Sequence, residues 1–109
     1  MRVISQDGTI DVPYERYAIW LYKDQYLDIY RIACDCGETN YRRLADYSTE
    51  AKAVKAMEML RKVYENNVFY HCTAGSKRFE EVQRILSEEQ FRKATTEYFQ
   101  FPQDDEIEV

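Results

Sequence analysis

An α+β fold, with an antiparallel β-sheet packed by one long helix and a shorter helical segment, is what three features of this 109-residue sequence predict. Strand-like runs cluster in the first third. One stretch in the middle repeats apolar residues at helical spacing. Helices follow strands instead of alternating with them, which argues against βαβ winding.

The elements come in this order. Asp7-Gly8, between Val3-Ile4-Ser5 and Thr9-Ile10, is a tight-turn signal for a first hairpin. Residues 17–22 are aromatic and branched, 23–25 are polar, and 26–32 alternate, which predicts a second hairpin with a short turn at Lys23-Asp24-Gln25. Cys34 to Asn40 reads as a loop, and Tyr41 to Asp46 as a returning strand. Over residues 49–65, Ala53, Ala56, Met57, Leu60, Val63 and Tyr64 recur at spacings of three and four and share one helical face. Ser48 or Thr49 caps that helix, and Asn66-Asn67 is expected to end it. Val68 to Cys72 reads as a short strand. The shorter helical segment carries Phe79, Val82, Ile85 and Leu86, breaks at the capping-box spacing Ser87 to Gln90, and restarts through Phe91 and Ala94. Tyr98 to Phe101 alternates as a last strand and stops at Pro102. One domain over 1–102 and a solvated acidic tail over 103–109 complete the reading.

Composition narrows the function. Apolar residues make up 45% and charged residues 32%, a globular mixture. No apolar run approaches the roughly 20 residues that cross a bilayer, and no secretion signal is read at the start, so a cytoplasmic location is expected. The net charge is −5. Asp104, Asp105, Glu106 and Glu108 carry most of it; without them the 20 acids fall to 16 against 15 bases. A near-neutral body with an acidic end does not suit duplex nucleic acid, whereas a few converging arginines still serve a small anion.

The cysteines Cys34, Cys36 and Cys72 are odd in number and read as reduced thiols. With His71 they could complete a tetrahedral zinc set, but the C-x-C and H-C spacing differs from the usual paired knuckles. Adjacent strand residues also face opposite ways, so no metal is expected. His71 has no third group assigned to orient it as a base. No phosphate-binding glycine loop or esterase elbow is present, and neither an enzyme nor a cofactor is expected.

Ten tyrosines, five phenylalanines and one tryptophan exceed what a core this small hides easily. Rings left outside beside arginine suit a pocket that stacks a base while a guanidinium grips phosphate. On that chemistry the candidate ligand-binding residues are Arg31, Tyr41, Arg42, Arg43, Phe91, Arg92 and Phe99. Amphipathic strands with snorkelling arginines account for the same pattern without a ligand.

Three stretches, residues 1–14, 47–60 and 99–109, resemble a group of short proteins found in phages and prophages of Firmicutes. Among characterised phage proteins of similar size and layout, the chain looks most like the Thoeris anti-defence sponges. Those proteins sequester cyclic ADP-ribose-type immune signals without cleaving them, in pockets at the subunit contacts of an oligomer. The resemblance implies a nucleotide ligand, a homo-oligomer and the cytoplasm of a bacterial host. No ligand residue is carried over, since none of that family's falls on a matching motif here. The alternatives are a protein-binding inhibitor of a defence nuclease, anti-CRISPR-like and motivated by the acidic tail, and a phage accessory protein without a ligand.

Overall fold

A computed structural model describes residues 1–35, 41–73 and 98–109, with the backbone alone for residues 70–73. It has antiparallel-rich β-sheet and one long helix, the α+β class the sequence predicts. The described residues form two small sheets. β1 (Arg2–Ile4) lies between β2 (Asp11–Pro13), antiparallel, and β6 (Tyr98–Gln100), parallel. β3 (Ile19–Asp24), β4 (Ile29–Asp35) and β5 (Tyr41–Tyr47) form an antiparallel meander. The parallel β1–β6 pair departs from an all-antiparallel sheet.

The first hairpin has the expected turn. Gly8 sits at φ +77°, a conformation that suits glycine, and Gly8 N–H donates to the Ser5 carbonyl at 3.0 Å. Asp7 Oδ1 accepts from Ser5 Oγ at 2.7 Å, Thr9 N–H at 3.0 Å and Thr9 Oγ1 at 2.7 Å. One carboxylate thus satisfies the whole loop.

The second hairpin turns later than expected. Asp24 pairs with Ile29, so the loop is 25–28. Asp24 Oδ1 accepts from the Tyr26 and Leu27 N–H groups at 2.8 and 3.1 Å, and Asp28 adopts φ +50°. Tyr26 and Leu27, read as strand, are exposed at the tip.

α1 (Glu50–Thr73) packs its periodic face on β4 and β5. Ala53, Ala56 and Leu60 meet Ile32, Leu44, Ala45 and Tyr47 in the core. Both Leu44 and Ala45 are buried because a bulge inserts Leu44 between the pairs Ile32–Ala45 and Ala33–Arg43. Thr49 Oγ1 accepts the Lys52 N–H at 3.2 Å and caps the helix. Its end corrects the sequence reading: Asn66-Asn67 does not break it, and Val68 to Cys72 is helical, not a strand. Asn67, seven residues after Leu60, continues the inward face and is buried, while Val68 and Phe69 lie outside. Extending an existing helix costs far less than starting one, so their strand preference loses. The shorter helical segment expected over 79–94 lies outside the described residues.

The two sheets meet through Gln6. Its N–H donates to the Leu44 carbonyl at 2.7 Å. Its side-chain Oε1 accepts the Asp46 N–H at 3.0 Å, while Nε2 donates to the carbonyls of Asp46 at 3.3 Å and Pro102 at 3.0 Å. Gln103 Nε2 donates in turn to the Gln6 carbonyl at 2.7 Å, and the buried Tyr47 hydroxyl donates to Pro102 at 2.8 Å.

The last residues are not the free tail the sequence suggests. Ile107 is buried, and Asp104 accepts from Ser48 N–H at 2.7 Å and from Lys52 Nζ at 3.2 Å, which ties it to the start of α1. Those bonds, that from Ser48 N–H first, hold the Asp104 carboxyl below its usual range.

Replacing Gln6 by Leu removes the side-chain bonds and leaves the Asp46 N–H and Pro102 carbonyl without them. We expect a loss of about 2 kcal/mol in urea unfolding, with the denaturant slope unchanged.

Candidate functional site

Side chains alternate across β3–β4–β5, so the face turned away from α1 can be read row by row. Tyr22, Arg31 and Asp46 are opposite one another in adjacent strands. The next row holds Trp20, Ala33 and Arg43, and Tyr41 follows opposite Asp35. Asp24 closes the row beside the turn.

Arg31 is the centre of this face. Its Nε donates to Asp46 Oδ1 at 2.8 Å, Nη2 reaches Asp46 Oδ2 at 3.5 Å, and Nη1 reaches Asp24 Oδ2 at 3.4 Å. The Arg31 side chain keeps only 19% of its exposure, Asp24 16% and Asp46 26%, so the ion pairs are largely shielded from water. The hydrogen bond to Asp46, more than any other contact, drives the Arg31 pKa further above its ordinary value, against the effect of burial. Arg43 Nη1 also reaches Asp46 Oδ2, at 3.3 Å, but the rest of Arg43 is exposed. A polar hollow of about 140 Å³ lies between Arg43, Asp46, Gln6 and Asp7.

The candidate residues divide accordingly. Arg31 is on the face, but its fork is already filled by Asp46, so the structure casts it as a girder and not as a phosphate grip. Tyr41 is 66% exposed and meets Trp20 edge-to-face with centroids 5.1 Å apart. Arg42 is exposed, lies opposite Cys34 and so off this face, and its side chain has no hydrogen bond or ion pair to the described residues. Arg43 shares the face. Phe99 is a correction: on β6 it is 7% exposed and packs edge-to-face on Phe101 at 5.2 Å, within the core. The Tyr98–Gln100 alternation turns Phe99 inward and Tyr98 outward. Phe91 and Arg92 lie outside the described residues.

Sequence reasoning passed over Trp20, Tyr22 and Asp46. Their signal was the register: once the turn is placed at 25–28, Trp20 and Tyr22 fall on the side of Arg31. Cys34 is buried in β4, Cys36 lies outside the described residues, and only the helical backbone of His71 and Cys72 is described. The argument from adjacent strand residues therefore does not apply to His71 and Cys72. No family model, curated protein or solved structure matches this chain.

Asp7, at the edge of the hollow, supplies a pH test. Hydrogen bonds from the Ser5 hydroxyl, then from the Thr9 hydroxyl and N–H, lower its carboxyl from 3.8 to about 2. A folded value below the unfolded one stabilises above pH 3.8, and that contribution fades as pH falls through 2. Thermal midpoints of wild type and Asp7→Asn should therefore differ most at pH 6 and converge as pH falls towards 2.

Proposed function

We propose that this chain is a binding protein that sequesters a small nucleotide, of the cyclic ADP-ribose type used as an immune signal against phages, without cleaving it. The observation that carries the reading is the pair of the half-buried Trp20 ring and the exposed Tyr41 ring on the strand face that also presents Arg43. A base has a π surface to lie on there, and phosphate oxygens have guanidinium donors. Sequestration is favoured over turnover because Asp24 and Asp46, the carboxylates beside Arg31, are already engaged in ion pairs with it. The resemblance of residues 1–14, 47–60 and 99–109 to phage and prophage proteins supports the choice of ligand.

A nuclease inhibitor that mimics nucleic acid has less behind it. Its motive is the acidic tail, and Asp104 is engaged with Ser48 and Lys52. The proposed site is open, so a second subunit has a part in this reading: Tyr22, at 38% exposure, and Tyr41 supply apolar area for the contact.

Titration calorimetry with cyclic ADP-ribose isomers, followed by heating and chromatography, should show saturable binding and return the nucleotide intact. Arg43→Gln and Tyr41→Ala should each weaken binding about tenfold while leaving the fold intact. Arg31→Met should instead lower stability, by about 2 kcal/mol, because Asp46 loses its shortest ion pair and Asp24 its guanidinium. A folded protein that gives no heat with any isomer, or that returns a hydrolysed one, removes the proposal. A strict monomer in sedimentation removes the subunit contact.

A further inference from the structure

We propose a second ligand site on the other side of the meander, between the β2–β3 connection and α1, that takes a small flat aromatic anion. The hollow holds about 340 Å³ and is lined by Tyr14, Tyr17, Ile19, Met57, Leu60 and Arg61. That volume is at the small end of the range typical of ligand pockets, roughly 300–1,000 Å³.

The walls are held before any ligand arrives. Tyr14 N–H donates to the Met1 carbonyl at 2.9 Å, and Arg16 N–H closes a turn onto Pro13 at 3.3 Å. The Tyr14 ring lies against Tyr64 of α1 at 4.3 Å with the planes tilted by 36°. Ile19 and Leu60 belong to the packed helix–sheet layer, so the floor is part of the core. Met57 provides a polarizable, adaptable wall that accommodates rings of different outline.

The polar groups in the lining are few. Arg61 is exposed, and its side chain has no ion pair or hydrogen bond to the described residues. The Tyr14 and Tyr17 hydroxyls are likewise unengaged among the described residues. An apolar slot between tyrosine rings, with an open guanidinium fork in its lining, is complementary to a ring bearing one carboxylate, sulfonate or phosphate. A neutral hydrocarbon would leave the fork unused, and a cation would be repelled by it. This site shares no residue with the Trp20–Tyr41 face and does not rest on the nucleotide proposal.

The probe is 1-anilinonaphthalene-8-sulfonate, titrated into the full chain at neutral pH and followed by fluorescence. One saturable site per chain is expected. Arg61→Gln, a surface change, should weaken it about tenfold with the urea midpoint unchanged. Met57→Trp, which fills the slot, should abolish it in a protein with wild-type circular dichroism. Arg43→Gln and Tyr41→Ala should leave it intact, which separates this site from the other. Binding unaffected by Arg61→Gln overturns the proposal, as does binding that survives in folded Met57→Trp or a signal that rises only through the unfolding transition. If Met57→Trp does not fold, Arg61→Gln alone decides.

Discussion

The carboxamide of Gln6 takes a strand's place at the edge of β5, where no other described strand pairs. β5 has β4 on one side, and the central Asp46 N–H and C=O on its other side meet a side-chain amide that offers one acceptor and one donor. Because the same amide nitrogen also reaches Pro102, three separate pieces of backbone converge on one residue. A shielded peptide group without a partner costs more than a typical made bond contributes, so the geometry around Gln6 is tightly constrained. It also sets where the first hairpin and the end of the chain sit against the meander.

That constraint reaches the functional face. Asp46, whose backbone is held by Gln6, is the residue whose side chain fills the fork of Arg31 and touches Arg43. The bulge at Leu44 serves the same end: it lets two neighbouring apolar side chains be buried, while Arg43 stays opposite Ala33 on the outer face. Packing on one side of β5 and charge pairing on the other are therefore two outcomes of a single register.

How much of this was legible depends on whether the cause is local. The helical phase from Ala53 to Val63 was, because periodicity directly reports which side faces a core. The Asp7-Gly8 turn was, because its chemistry is carried by adjacent residues. The end of α1 was not, since Val68 and Phe69 favour strands when read alone and the helix arrives from upstream already formed. Placing the second turn needed the bonding choice of Asp24, which a composition rule centred on Lys23-Asp24-Gln25 misses by two residues. Arginines and rings could be counted, yet whether a guanidinium is open, as in Arg42, or already paired, as in Arg31, depends on a cross-strand neighbour 15 positions away. Phe99 shows the same limit: its ring chemistry suits stacking, and only the strand's facing decides that the core takes it.

The parallel pairing of β1 with β6 has a consequence for synthesis. Val3 lies opposite Phe99, so the first sheet joins segments far apart in the sequence. On the ribosome, β1 and β2 can zip together early, but the edge that will receive β6 stays open until residues 98–100 emerge. Closure across so long a loop is entropically slow. The nascent hairpin therefore waits with one bare flank, and the time taken to make residues 98–100 sets how long it is vulnerable to the wrong neighbour.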